Sequence, residues 1–181
     1  TIGLANRIIR LFGAKVLDVG VPLRQEILNA KVSKTNTIFV TGGNQGSKII
    51  FDNVKKIIPK LSKYKVILND KPFRAKEMAD NLSEAGIIIS RAGANTVSEI
   101  AYLGKPAILI PIPWSSGGEQ LKNAQELEKL GMAEIIHQDN LSEKTLLEAI
   151  EKIDGNYFEG IVIKGNNFSF KVINKFYDSK K

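Results

Sequence analysis

Residues 90–99, SRAGANTVSE, bring a guanidinium, small residues, an amide, a hydroxyl and a carboxylate together in one short stretch. The run GIIIS that leads into it is typical of a buried strand, and helical spacing follows it. Gly93 and Ala94 leave space for a ligand. The N–H groups of Asn95 and Thr96 lie at the predicted start of the helix, where partial positive charge attracts anions. The pattern predicts an anion-binding turn between a strand and a helix.

Two charged residues of this stretch each have two interpretations. Glu99 lies roughly one turn into the predicted helix. Its carboxylate accepts two hydroxyl hydrogens at once, which suits a ribose diol, or it merely complements the helix dipole. Arg91 pairs either with a phosphate of a ligand or with a carboxylate of the fold.

A second turn, TGGNQG at Thr41–Gly46, follows the apolar run TIFV and opens another predicted helix. Glycines such as Gly42 and Gly43 let backbone N–H groups approach a phosphate, and Asn44 follows them directly. The pattern is not the GxGxxG of dinucleotide sites, and it lacks the lysine of a P-loop. A phosphate-binding loop and a simple tight turn both remain open.

Two further loops complete the set. Pro111–Ala124 is too rich in Pro and Gly for regular structure until Glu119. Glu119, Gln120 and Asn123 then fall on one side of a helix, where they suit the hydroxyls of a sugar or form an exposed polar first turn. Arg24 ends the turn GVPLR and is a weak signal by itself.

Alternating strands and helices must position these loops. The strands are continuous apolar runs, which favours an α/β fold: a Rossmann-like parallel sheet with helices on both faces. In such sheets ligands bind at the carboxyl ends of the strands, where these loops lie. Strands are predicted at 15–19, 37–40, 64–68, 86–90, 107–111 and 133–137. Helices are predicted at 6–12, 47–61, 76–82, 95–103, 119–130, 142–153 and 167–177.

The composition, with 43% hydrophobic and 25% charged residues, is that of a globular domain. No apolar run approaches the roughly 20 residues that a membrane span needs. The absence of cysteine excludes disulfides and thiolate metal sites. The formal net charge of +7 comes from scattered lysines, which form a solvated surface or attract an anionic membrane or ligand. No stretch interleaves aromatic and basic residues, so nucleic acid is not an expected partner.

The four loops are more informative together than singly. Glycines compatible with a diphosphate, a glutamate compatible with a diol and amides compatible with a sugar converge on one edge of the sheet. This combination predicts a nucleotide-sugar site rather than a dinucleotide or triphosphate site. No Asp/Glu pair lies at that edge to hold metal-bound phosphates, so binding without a metal or other cofactor is expected.

Four stretches, GVPLR, TGGNQGSKII, ISRAGANTVSEIAYLGKPAILIPIP and EQLKNAQELEKLGMAEII, resemble the MurG family. These transferases move N-acetylglucosamine from UDP-GlcNAc to lipid I, which gives lipid II in peptidoglycan synthesis. The resemblance covers about residues 6–153 and only the C-terminal, donor-binding half of the two-domain GT-B arrangement. It implies one UDP-sugar-binding domain over 1–181, with 1–12 left from the interdomain region and 157–181 a helical C-terminal segment. The resemblance also implies that the N-terminal acceptor domain is not part of this sequence, so the 181 residues alone are expected to be inactive.

The resemblance also implies residue roles. Glu99 corresponds to the glutamate that binds both ribose hydroxyls, and Asn44 stands where a serine near the α-phosphate is usual. Gln120 corresponds to the glutamine that reads the sugar hydroxyls. The segment Phe73–Ala75 and Met78 correspond to the uracil-binding region. The implied UDP-GlcNAc contacts are Arg24, Gly42, Gly43, Asn44, Arg91, Gly93, Ala94, Asn95, Thr96, Glu99, Gln120 and Asn123, with Arg74, Ala75 and Met78 near uracil.

The departures from the family bear on function. No catalytic residue is expected in this domain, and the only histidine, His137, lies outside the matching motifs. The segment ILNDKPF, 67–73, is shorter than in the family, which predicts lost residues near 69–71; the start at Thr1 suggests a trimmed chain or a fragment. Lipid I is expected to bind to a missing N-terminal domain or to a partner chain, at the inner face of the cell membrane. The alternatives are a split or related UDP-sugar glycolipid transferase and a non-catalytic nucleotide-sugar binding module.

Overall fold

Five apolar runs form a single parallel sheet. The computed structural model describes residues 21, 23–33, 35–43, 46–70 and 74–156. The strands are β1 (Thr37–Thr41), β2 (Lys65–Asn69), β3 (Ile87–Ser90), β4 (Ala107–Leu109) and β5 (Ala133–Ile135). Their order in the sheet is β2-β1-β3-β4-β5, and every neighbouring pair is parallel. The predicted Rossmann-like sheet is therefore confirmed.

The strand order contains one reversal of direction. From β1 the chain moves to β2 on one side and then crosses back to β3 on the other side of β1. The loops after β1 and β3 therefore leave in opposite directions and open a crevice between them. In open α/β sheets this switch point, at the carboxyl ends of the strands, is where ligands bind.

Helices cover both faces of the sheet. They are α1 (Gln25–Leu28), α2 (Lys48–Ile57), α3 (Ala75–Glu84), α4 (Ala94–Leu103), α5 (Glu119–Lys129) and α6 (Glu143–Asn156), with short 3₁₀ turns at 58–60, 116–118 and 138–140. Side chains alternate along β1, so Ile38 and Val40 pack with α2 and α6 while Phe39 packs with α3, α4 and α5. The continuous apolar run of the strand follows from this burial on both faces.

Element ends differ from the predictions by a few residues for identifiable reasons. Strand β4 ends at Leu109 rather than at Pro111, because Pro111 has no N–H to continue the ladder. Strand β5 pairs with β4, and the last residue of β4, Leu109, lies opposite Ile135. Strand β5 therefore ends at Ile135 rather than at His137. The short helix α1 was not predicted, since four residues carry no periodicity. The predicted elements at 6–12, 15–19 and 167–177 lie outside the described residues.

Local sequence signals fix two helix ends. Helix α4 stops at Gly104, whose φ of 62° is a left-handed conformation that glycine adopts without a Cβ penalty. Helix α6 begins with a reciprocal pair: Thr145 N–H donates to the Ser142 hydroxyl, and Ser142 N–H donates to the Thr145 hydroxyl. Thr145 here takes the place of the Glu or Gln that usually completes such a capping box.

No helix among the described ranges has the length and apolar character to cross a membrane.

The segment before β1 is held against the amino-terminal edge of the sheet by close backbone packing. The buried Lys105 ammonium donates to the carbonyls of Ser33 and Ala85. Gly86 lies directly against Thr35, and a Cβ at Gly86 would overlap the Thr35 carbonyl oxygen. Only glycine fits at this crossing.

Gly86→Ala is expected to destabilise the protein by about 1–3 kcal/mol, the usual cost of forcing a methyl group into a packed site. Gly93→Ala is the matched control, because nothing lies near a Cβ at that position and its φ is −66°. Urea unfolding followed by circular dichroism measures both variants. Equal midpoints for Gly86→Ala and Gly93→Ala would contradict the packing described here.

Candidate functional site

Two adjoining cavities lie at the switch point, at the carboxyl ends of β1 and β3. The larger has a volume of about 280 Å³ and the smaller about 140 Å³. Gly43, Asn95 and Thr96 belong to the walls of both, so the two form neighbouring parts of one hollow. The larger cavity is also lined by Gly42, Arg91, Gly93, Ala94, Ile112 and Gln120. The smaller is also lined by Arg24, Thr41, Met78, Leu82 and Glu99.

The glycine turn after β1 forms one wall of this hollow. A Cβ at Gly42 would overlap the backbone of Gly46 and Ser47, so the chain folds back on itself too closely for any side chain. The buried Thr41 hydroxyl organises the turn, because it accepts from Gly43 N–H at 3.2 Å and from the Asn69 amide at 3.1 Å. Sequence reasoning did not identify Thr41. Asn44 lies outside the described residues.

The amino terminus of α4 forms the opposite wall. Gly93 is its N-cap residue and brings no side chain to satisfy the first N–H groups of the helix. Ala94, Asn95 and Thr96 line the hollow at these positions. A ten-residue helix whose N-cap residue provides no side-chain cap presents donors and partial positive charge to this space. This wall is suited to an anion, as the sequence predicts.

Arg91 lies beneath the larger cavity and is 7% exposed. One terminal nitrogen donates to the carbonyl of Ile110 at 3.0 Å and to that of Pro111 at 3.5 Å; the other donates to Gln138 Oε1 at 2.7 Å. Its Nε has no partner among the described residues, and burial lowers the pKa of the guanidinium. These partners are neutral oxygens, so the interpretation of Arg91 as an ion-pair partner within the fold is not supported among the described residues.

Glu99 is buried in the smaller cavity and is paired with Arg24. Arg24 Nε donates to one carboxylate oxygen at 2.7 Å, and a terminal nitrogen donates to the other at 2.8 Å. The two residues lie 75 positions apart, so the fold brings them together. Arg24 and Glu99, which nothing in the sequence connects, therefore form one bidentate ion pair in the wall of the hollow.

Gln120 closes the loop that follows β4. Its Oε1 accepts from Ile112 N–H at 3.1 Å, which joins the two ends of the loop, and both residues line the larger cavity. Glu119 is exposed and lines neither cavity, which favours the interpretation of this residue as part of an exposed polar first turn. Trp114, on the same loop, is 75% exposed.

The remaining predicted residues lie around the hollow rather than in it, with one exception. The Asn123 amide donates to the Ala92 carbonyl at 3.1 Å and so supports the loop that carries Arg91. Arg74 and Ala75 are exposed at the start of α3 and do not line either cavity. Met78, by contrast, lines the smaller cavity. Gln138 was not predicted; its role comes from contact with Arg91, and the sequence offers no signal for that contact.

His137 is exposed near a separate cavity between β5 and α6, away from the switch point. Within the described ranges, no cluster of three or more His, Asp or Glu side chains is arranged to hold a metal ion.

Comparison with known sequences agrees with this geometry. Residues 69–157 match the model of the glycosyltransferase family 28 C-terminal domain. A relative from Sulfurihydrogenibium sp. is 31% identical over 157 positions, covering 76% of this chain and 45% of the relative. One from Clostridium perfringens is 33% identical and covers 76% of this chain and 46% of the relative. Both are named UDP-N-acetylglucosamine–N-acetylmuramyl-(pentapeptide) pyrophosphoryl-undecaprenol N-acetylglucosamine transferase. The chain thus spans about half the length of these relatives.

A Bacillus thuringiensis relative aligns with the whole chain at 26% identity over 226 positions, 45 more than the 181 residues here. It therefore has segments that this chain lacks. The prediction that one such segment falls near residues 69–71 stays a prediction.

Solved structures share the fold. Acinetobacter baumannii MurG superposes with a TM-score of 0.54 at 22% identity, covering 82% of this chain and 47% of that structure. The kitacinnamycin glycotransferase gives a TM-score of 0.56 at 12% identity, covering 91% of this chain and 43% of that structure. The shared architecture is the C-terminal half of a GT-B glycosyltransferase. The chain belongs to glycosyltransferase family 28, of which it carries the C-terminal domain.

Proposed function

We propose that this domain binds UDP-N-acetylglucosamine and presents it for transfer to lipid I. One observation carries the proposal: an uncapped helix terminus and a buried cation line one part of the hollow, and a buried carboxylate lines the adjoining part. A nucleoside diphosphate has the matching chemistry, with anionic oxygens at one end and a ribose diol at the other. The name of the relatives, which are N-acetylglucosamine transferases acting on a pyrophosphoryl-undecaprenol substrate, supports the choice of sugar and acceptor.

The larger cavity is assigned to the diphosphate and the sugar. Arg91 and the first N–H groups of α4 supply positive potential where the charge of a leaving UDP would develop. Donors that are already in place stabilise such charge without reorganisation in the transition state. Gln120 lies in the same wall and is assigned to the sugar.

The smaller cavity is assigned to the nucleoside. Glu99 supplies acceptors for the ribose hydroxyls, and Met78 and Leu82 supply apolar surface for the base. Thr96 belongs to both walls and lies where the two parts of the ligand would join.

The transfer itself needs groups that the described residues do not provide. In an inverting displacement, the acceptor hydroxyl attacks C1 of the sugar, the bond from C1 to the UDP oxygen breaks, and the hydroxyl proton passes to a base. We assign the base and the lipid I site to an acceptor domain on the same or another chain. The present domain would hold the donor so that its C1 faces that domain, and positioning of this kind contributes much of the rate.

Glu99→Ala is expected to weaken UDP-GlcNAc binding about 10- to 100-fold, because it removes a charged acceptor for two hydroxyls. Calorimetric titration measures the dissociation constants. Glu143→Ala is the matched control, since it removes an exposed carboxylate that pairs with Lys60 and lines neither cavity, and it should bind normally. Equal affinities for wild type and Glu99→Ala would show that the ribose assignment is wrong.

Arg91→Met is expected to weaken UDP binding at least about 10-fold while leaving uridine binding within about 2-fold, because only UDP carries the phosphates. Gln138→Ala keeps the charge and removes one of its supports, so UDP affinity should fall by less. Titration with UDP and uridine at one ionic strength measures the difference. A parallel loss for both ligands would show that Arg91 supports the loops without acting on phosphate.

We also propose that the protein acts at the inner face of the cell membrane, where lipid I is embedded. The net charge of +7 supports attraction to anionic lipids. The domain should sediment with phosphatidylglycerol vesicles at low salt, less at 0.5 M salt, and not with phosphatidylcholine vesicles. Equal sedimentation with both lipids would contradict an electrostatic attachment.

A further inference from the structure

The ion pair between Arg24 and Glu99 has a geometry that restricts what Glu99 can do. The guanidinium fork meets both carboxylate oxygens, at 2.7 and 2.8 Å. The Glu99 side chain is 7% exposed, whereas that of Arg24 is 39% exposed. The buried partner is therefore held by a side chain that approaches from the more open side of the same cavity.

A carboxylate has about four lone-pair positions, two on each oxygen. Arg24 uses one on each oxygen, and one on each remains. Because the fork is planar and rigid, it also fixes the rotation of the carboxylate. The remaining lone pairs are thus held in fixed directions on opposite sides of the carboxylate, and the one on the side of the smaller cavity can accept from a ribose hydroxyl.

The pair also affects the charge of the hollow. Glu99 lies in a wall that shares Gly43, Asn95 and Thr96 with the diphosphate cavity. An uncompensated carboxylate there would repel the phosphates of the same ligand. Arg24 neutralises that charge while leaving the oxygens able to accept hydrogens.

We propose that Arg24 is a positioning residue for ribose recognition: it fixes the rotation of the Glu99 carboxylate for hydrogen bonding with the ribose and cancels its charge beside the diphosphate. This inference rests on the proposed function and deepens it. The positioning role differs from direct binding of Arg24 to a phosphate. It also differs from a role in which Arg24 only blocks the Glu99 carboxylate until the ligand displaces Arg24. The three roles predict different ligand dependence.

The experiment is a titration of the 181-residue chain with UDP and with 2′,3′-dideoxyuridine diphosphate, which lacks both hydroxyls. The variants are Arg24→Ala, Arg24→Lys, Glu99→Ala and the double Arg24→Ala/Glu99→Ala. Lys63→Ala is the charge-matched control, because it removes one cation of an exposed pair with Asp154. Thermal unfolding of each variant shows whether the fold is retained.

Arg24→Ala is expected to weaken UDP binding about 10-fold, with a change of less than about 3-fold for the dideoxy analogue, because the loss acts through the hydroxyls. In the Glu99→Ala background, Arg24→Ala should add little further loss. Arg24→Lys keeps the charge without the rigid fork and should lie between wild type and Arg24→Ala. Lys63→Ala should bind both ligands as wild type does.

Three results would overturn the inference. Equal losses for UDP and the dideoxy analogue would assign Arg24 to the phosphate, and tighter UDP binding by Arg24→Ala would show that Arg24 blocks Glu99. Loss of the fold in both Arg24→Ala and Arg24→Lys would show a purely structural pair. Failure of the proposed function has a different signature, since wild type itself would then not bind UDP.

Discussion

The buried guanidinium of Arg91 is the constraint on which the site depends. A cation at 7% exposure loses much of its hydration, and it is retained only if hydrogen bonds replace that hydration. The carbonyls of Ile110 and Pro111 and the amide of Gln138 do so, and they join the ends of three neighbouring strands. Since these partners are neutral, they stabilise the charge without cancelling it. The fold thus keeps a positive potential beneath the cavity at the switch point.

The negative charge of Glu99 in the neighbouring cavity, unlike the positive charge of Arg91, is paired with an opposite charge. Glu99 is as deeply buried as Arg91, but a formal cation meets it on both oxygens. An acidic group that shares a wall with a diphosphate site must be neutralised if the site is to accept phosphate. The hollow therefore combines an uncancelled positive charge with a cancelled negative one. That asymmetry favours an anionic ligand that also has neutral hydroxyl groups.

Much of this arrangement could be predicted from sequence, because it follows from local patterns. The continuous apolar runs predict the parallel sheet, and the glycine turn and the small residues at 93–94 identify the edge where ligands bind. Contacts between distant segments could not be predicted. Arg24 is a weak signal in its turn, and it gains meaning only when the fold places it against Glu99. Gln138 and Thr41 likewise act through side-chain hydrogen bonds that leave no periodic pattern in the sequence.

Hydrogen-bond polarity also orients the proposed ligand. The wall of the larger cavity contains hydrogen-bond donors: the first N–H groups of α4, and the amide nitrogen of Gln120, whose oxygen accepts from Ile112. Phosphate oxygens are acceptors only, so they fit this cavity. The strongest acceptor, Glu99, faces the smaller cavity and requires donors, which the ribose hydroxyls supply. A ligand placed the other way round would set phosphate oxygens, which only accept hydrogen bonds, against the acceptor oxygens of Glu99. In the proposed orientation the sugar lies beside Gln120, in the larger cavity.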